Sequence, residues 1–466
     1  MHDPSSPHLA LHTKLVSAFQ RKLHNSSANA HLAEWKKMSN RDLAFKVLEL
    51  VKQHDSWRSS CLNLIPSENV TSRLVRLVLT SDLGHRYAEG KPFKRYYCGT
   101  RFIDEIEALS IELAKRLFKC KFASVKPISG TVANLAVFSA LARPGDRIMG
   151  LSIPCGGHIS FAEIGAAGVR GLSVIDLPFS NEEMNVDVER AVDLIGEARP
   201  KLVVLGASLF LFPHPVRELS KAAREVGGHV VYDGSHVLGL IAGGAFQDPL
   251  DEGALVLMGS THKTFPGPQG GLVLANDEDV MDKVEEALFP GLISNHHLHR
   301  VAALAIALAE MLEYGEAYAK AIVENSKELA RSLYERGFKV LCPHKGFTES
   351  HQVVLDVSGL GGGRWASKRL EEANIITNMN LLPWDDVRKS SDPSGLRLGV
   401  QEVTRLGMKR GEMNFIAEKM EEVLLRGRDP AEVRKEVVTF MASYQEVKYC
   451  FDGSNVYRLL EHLWGA

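Results

Sequence analysis

The sequence predicts an α/β fold on a mostly parallel sheet, followed by a smaller α+β region. Two observations carry this. Six short apolar stretches, "RIMGLSI" from 147, "LSVIDL" from 172, "KLVVLGA" from 201, "HVVYDG" from 229, "ALVLMGS" from 254 and "GGLVLAN" from 270, are separated by helix-like segments. Strands that alternate with helices make a parallel sheet covered on both faces. The chain of 466 residues is also long enough for a large core and more than one domain, with 45% apolar and 24% charged residues.

The elements follow in order. Residues 1–37 are rich in His and Ser and poor in acids. They read as a tail, an extension upstream of a start at Met38, or a transit peptide short of arginine. "SNRDLAFKVLELVKQHDSW" (39–57) has a serine cap and helical apolar spacing, so it opens the ordered chain as a helical arm over 38–75. "LNLIPSENVTS" and "HRYAEGKPFKRYYCGT" are polar, glycine-bearing loops. A helix over 104–118 leads to "FASVKPISGT" and a helix from 131. The alternating region closes with a long amphipathic helix near 294–335, and the large domain is set at 76–330. "FKVLCP", "HQVVLDVSG", a helix over 364–373, "LRLGV" and two final helices form the smaller α+β domain, 331–466.

Bulk composition excludes several function classes. The formal charge of −2 gives no basic field for nucleic acid. The longest apolar runs, such as "VAALAIALA" at 301, are near ten residues, against about 20 for a bilayer span. Six scattered cysteines lack metal-type spacing and are few for a disulfide framework. They suit a reducing compartment, so a cytoplasmic protein with no metal site is expected.

Ligands of an open α/β sheet bind beyond the carboxyl ends of its strands. Ser129-Gly130-Thr131 opens a helix after the first strand, and serves equally as a plain cap or as a phosphate site. Asp233 ends "HVVY", with Ser235 and His236 behind it. It can cap the next turn or pair with a protonated ring nitrogen. Lys263, in "GSTHKTFPGPQGG", sits beside His262 in a turn between two apolar strands. A lysine in such a pocket can lose its charge and attack a carbonyl. Phosphate site, acid and lysine together fit a pyridoxal phosphate site, with the glycines after Lys263 leaving room for cofactor and substrate.

The sequence resembles serine hydroxymethyltransferases, in its archaeal branch, from about residue 55 to about 425. "NLIPSENVTS", "HRYAEGKPFKRYY", "SGTVAN", "GGHIS", "DGSHVLGLIAGG", "STHKTFPGPQGG" and "SGLRLG" carry the resemblance in order. It implies a fold-type-I pyridoxal phosphate enzyme with a seven-stranded, mostly parallel sheet. The chain would act as a homodimer or tetramer with shared active sites, interconverting serine and glycine while one carbon passes to a reduced pterin. Lys263 matches the Schiff-base lysine, Asp233 the partner of the pyridine nitrogen and His158 the histidine stacked on the ring. Ser208 and His236 match residues near the cofactor 3-hydroxyl, while Ser129, Gly130, Thr131, Ser235 and Ser260 complete the cofactor shell. Arg397 matches the clamp on the substrate carboxylate, a task suited to a bidentate guanidinium. Ser67 and Tyr97 match the amino-acid subsite and Tyr87 a tyrosine given across the dimer. Glu89 matches the acid-base carboxylate; His262 and Tyr97 join it and Lys263 as catalytic candidates. Gly157 and Asn378 fall with Glu89 where the family holds the pterin. Gln269 stands where arginine is common, Cys155 where histidine is usual, and "LISNHH" (292–297) where the family has "GGQGGP". That last segment brings backbone to the partner's cofactor phosphate in the family, so Ser294, Asn295 and the histidines are candidates to take over. An aldolase or transaldolase of β-hydroxy amino acids, needing no pterin, is the rival reading.

Overall fold

The computed structural model describes residues 34–454, 456 and 457, so the expected tail lies almost wholly outside the described residues. The chain divides into a segment ending at Ser59 and a body from Ser60 onward. The first contains helix α1 (Asn40–Ser59), none of whose residues is buried. All that follows concerns the body.

Seven strands form its main sheet: β1 (Phe122–Ser124), β2 (Arg147–Gly150), β3 (Ser173–Asp176), β4 (Leu202–Leu205), β5 (His229–Asp233), β6 (Val256–Ser260) and β7 (Gly271–Ala275). Their order is β1-β7-β6-β5-β4-β2-β3. Neighbours among β2 to β6 run parallel, while β7 is antiparallel to both β6 and β1. The expected seven-stranded, mostly parallel sheet is therefore present. Successive side chains divide between two cores. Val203, Leu205, Val230, Tyr232, Leu257 and Leu274 enter one, and Leu202, Val204, Val231, Val256, Met258 and Val273 the other. Both faces of the inner strands β4 to β7 are covered, which suits their largely apolar runs.

Helix α2 (Arg101–Phe118) precedes β1, and α3 (Gly130–Leu141) follows it. Helix α4 (Leu298–Glu335) runs unbroken through the border expected at 330. It starts four residues later than the sequence predicts. Ile293 is extended, and the side chains of Ser294 and Asn295 are engaged elsewhere. A second, antiparallel sheet holds β8 (Gln352–Asp356), β9 (Asn378–Asn380) and β10 (Gly395–Gly399), with β10 central. "FKVLCP" adds only the isolated bridge Val340–Leu355, since the chain turns left-handed at Cys342 before Pro343. Among the described residues no helix is long and apolar enough to cross a membrane.

Candidate active site

Five segments that leave the main sheet at the carboxyl ends of parallel strands carry most of the candidate residues. Ser129 follows β1, Gly157 and His158 follow β2, Ser208 follows β4, Asp233 ends β5 and Lys263 follows β6. Both readings of Ser129 have support. Its hydroxyl caps α3, accepting from Val132 N at 3.1 Å. Gly130 behind it lies so close to β6 that an added Cβ would stand 2.3 Å from Ser260 Oγ. Ser260 N donates to Ser235 Oγ at 2.9 Å, and the two hydroxyls are 3.2 Å apart. Backbone N–H groups at a helix start, with two hydroxyls packed beside them and no intruding side chain, suit a phosphate. His262 Nδ1 is buried without a partner among the described residues, and burial lowers that ring to about 4.

Asp233 is 4% exposed and held on both oxygens. Asn134 Nδ2 donates to Oδ2 at 2.7 Å and Ser235 N to Oδ1 at 2.8 Å. The Asn134 amide also reaches Ser160 Oγ at 2.8 Å, and Ser160 lies 2.6 Å from His158 Nδ1. Asp233 and His158 are thus fixed by one chain of hydrogen bonds. Burial holds His158 below its ordinary value, with Asp233 opposing and Lys263 adding to the effect, so its ring is neutral at pH 7. His236 is buried and driven well down by desolvation. Gln352 Nε2 donates to its Nδ1 at 3.0 Å, so the neutral ring carries its proton on Nε2.

Lys263 is 7% exposed. Burial lowers its ammonium from 10.5 to about 8; Asp233 pulls it up and Arg397 pushes it down. Such a lysine becomes a nucleophile near neutral pH. Its carbonyl accepts from Asn69 Nδ2 at 2.6 Å, and the same amide reaches Tyr318 Oη at 2.9 Å. The glycine-rich turn after it folds back on Thr261, which donates to Pro268 O at 2.7 Å. Gly271 passes so near Ser129 that a Cβ would stand 2.5 Å from its carbonyl. The turn thereby locks the lysine strand to the anion cradle.

Arg397, on β10, is 6% exposed and has no carboxylate partner among the described residues. Its Nη1 donates to Ser208 O and its Nε to Asn378 Oδ1 at 3.4 Å. Burial lowers it to about 10, so it keeps its charge at pH 7. A buried, unpaired guanidinium beside a lysine needs an anion. The loop carrying Ser67 is anchored near this arginine. Gln401 Nε2 donates to Ile65 O at 2.8 Å and Glu68 O at 2.6 Å, and Gly399 N bonds Leu64 O at 2.8 Å.

Tyr87, Glu89 and Tyr97 form a separate group. The tyrosine rings lie 5.5 Å apart and both are exposed. Glu89 is bonded by Ser294 Oγ at 2.5 Å. Among the described residues no hydrogen bond, ion pair or ring contact joins this group to Lys263, Asp233 or Arg397. Of the segment 292–297, Ser294 and Asn295 serve the Glu89 loop and His296 bonds Glu107. Asn69, Asn134 and Gln352 are site residues that motif reading missed. Each lies in or beside a quoted motif, yet only their distant partners give them a role.

This geometry fits pyridoxal phosphate: an anion cradle, a buried acid, a neutral histidine and a depressed lysine on adjoining strand ends. The sequence model described as serine hydroxymethyltransferase matches residues 40–420. The chain belongs to the serine hydroxymethyltransferase family. Among its relatives of that name, the one from Methanothermobacter thermautotrophicus is 56% identical over 424 residues, 91% of this chain and 99% of the relative. That from Methanopyrus kandleri is 58% identical over 410 residues, 88% and 95% of the two chains. That from Pyrococcus abyssi is 54% identical over 420 residues, 89% and 98%. Among solved structures, L-threonine transaldolase from Pseudomonas fluorescens, in its internal aldimine state, superposes with a TM-score of 0.82 at 28% identity, covering 93% of this chain and 99% of that one. The chain is accordingly a pyridoxal-phosphate-dependent transferase of the fold-type-I class.

Proposed function

We propose that the enzyme interconverts serine and glycine reversibly and passes the hydroxymethyl carbon to a reduced pterin, tetrahydrofolate or tetrahydromethanopterin. The observation that carries this is Lys263, lowered to about 8 in a pocket that also holds Asp233 and the unpaired Arg397. The bound cofactor supplies an electron sink for the bond broken at the substrate α-carbon. Arg397 takes the substrate carboxylate in a bidentate grip, with Ser67 beside it. Asp233 would hold a proton on the cofactor's pyridine nitrogen, and the neutral His158 would lie against the ring. Ser129, Gly130 and Thr131 offer backbone N–H groups to the phosphate, with Ser235, Ser260 and His262 around them. Ser208 and His236 would face the cofactor 3-hydroxyl. Lys263, as free amine, would hold the cofactor through its aldehyde. Glu89 moves protons at the pterin-linked one-carbon unit, with Gly157 and Asn378 at the pterin.

Tyr87, Tyr97 and Glu89 reach this pocket, in our reading, from a second copy of the chain, so the active unit is a homodimer or a tetramer of such pairs in the cytoplasm. The 76–330 and 331–466 regions act as its cofactor-binding and smaller domains, behind the arm at 38–75. The likeness to a transaldolase keeps a second reading open, namely cleavage of β-hydroxy amino acids without pterin. Glu89→Gln separates the two, because it keeps size and hydrogen bonding but removes the ionisable proton. It should depress pterin-dependent serine turnover by about 10²-fold and spare pterin-free cleavage of a threonine-like substrate. Equal loss in both reactions on one preparation would refute the role given to Glu89.

A further inference from the structure

We propose that Ser294 and Asn295 are positioning residues that present Glu89, an assignment that rests on the acid-base role given to Glu89 above. Asn295 uses both ends of its amide on one stretch of backbone. Its Oδ1 accepts from Ala88 N at 3.0 Å and its Nδ2 donates to Arg86 O at 2.9 Å. The amide thus stands in for a neighbouring β-strand against residues 86–88. Arg86 is extended, and Ala88 is buried between the exposed Tyr87 and the half-buried Glu89. The clamp therefore holds the backbone that carries Tyr87 and Glu89. Ser294, one residue earlier, fixes the end of the Glu89 side chain with a hydrogen bond to Oε1 at 2.5 Å. Ser294 is the only side-chain partner of that carboxylate among the described residues.

The support is continued from behind by the next residue. His296 Nε2 lies 2.7 Å from Glu107 Oε2, and Glu107 also binds Arg95 Nη2 at 2.8 Å. Burial alone would raise Glu107, but His296 and Arg95 outweigh it and hold it ionised. Arg95, whose side chain is buried, donates to Ala88 O at 2.7 Å and Gly90 O at 2.8 Å and pairs with Asp104. The Glu89 side chain and the backbone on both sides of it are thereby tied to three consecutive residues, 294 to 296. A half-exposed glutamate otherwise samples several rotamers, and a proton-transfer group loses rate when its position is loose. The side-chain amide and hydroxyl of this segment are therefore engaged in aiming Glu89.

The test is a double-mutant cycle on the cofactor-loaded enzyme with serine and each reduced pterin. Ser294→Ala should lower pterin-dependent kcat about tenfold, the scale of one hydrogen bond to a charged group. KM for serine, the visible cofactor band and pterin-free cleavage should hold. Ser294→Thr, which keeps the hydroxyl, should restore the rate. Asn295→Asp, which sets a carboxylate against the Arg86 carbonyl, should repeat the loss. In a Glu89→Gln background, Ser294→Ala should add little further loss. The proposal is overturned if Ser294→Ala leaves kcat intact while Glu89→Gln lowers it, or if its loss is the same in both backgrounds. A Glu89→Gln enzyme of full pterin-dependent activity would overturn the role of Glu89 itself, and this proposal with it.

Discussion

Lys263→Met should make the cofactor-free protein more stable at neutral pH. Burial lowers the lysine from 10.5 to about 8. At about 1.36 kcal/mol per pKa unit, holding the ammonium in the folded chain at pH 7 costs about 3 kcal/mol. The sign follows from proton counting. Between about 8 and 10.5 the unfolded chain binds more protons than the folded one, so stability rises with pH across that window. Below about 8 the whole cost is present; above 10.5 it is gone. Methionine fills a similar volume and carries no charge. The pull of Asp233 on the ammonium is already contained in the net lowering to about 8, so the gain at pH 7 is at most about 3 kcal/mol. Urea midpoints of cofactor-free wild type and variant, taken at pH 7, 8.5 and 10, read this directly. Cofactor must be absent, since binding adds its own stabilisation. The variant should lead at pH 7 and its lead should shrink towards pH 10. A variant no more stable than wild type at pH 7, or a lead that ignores pH, refutes the reasoning.

Three further outcomes follow from named contacts. Arg397→Ala removes the unpaired guanidinium, so serine kcat/KM should fall by about 10²–10³-fold while cofactor absorbance persists; an unchanged value would put the carboxylate site elsewhere. Gly130→Ala sets a Cβ 2.3 Å from Ser260 Oγ, and a titration of the visible band should show cofactor affinity down at least about tenfold. Asn69→Ala breaks bonds of 2.6 Å to the Lys263 carbonyl and 2.9 Å to Tyr318, and should lower the unfolding free energy by about 1–3 kcal/mol.

Much of the fold was legible because a sheet buried on both faces leaves a simple trace. Runs such as "KLVVLGA" and "HVVYDG" needed no knowledge of their neighbours. Asp233 and Lys263 stood out because strand ends are where such a sheet holds ligands. Their supports were hidden. Asn134 meets Asp233 across 99 residues, Asn69 meets Lys263 across 194, and Gln352 meets His236 across 116. No local pattern encodes such pairs, since an asparagine that holds a site looks like one that holds a turn. The start of helix α4 was misjudged for a similar reason. Ser294 and Asn295 are poor helix formers, and their side chains are drawn to the 86–89 loop. The motif containing Tyr87 and Glu89 marks them as candidates, but only the resemblance, not the local pattern, puts a tyrosine across a dimer; within one chain no described contact joins them to Lys263.

The most direct measurement is serine cleavage by the purified, cofactor-loaded wild type, run without pterin and then with tetrahydrofolate and tetrahydromethanopterin in turn. The account predicts a slow pterin-free rate and a rise of at least about 10²-fold with one or both pterins, as positioned proton transfer by Glu89 requires. Fast cleavage of threonine-like substrates with no response to either pterin would contradict it and give the site to an aldolase.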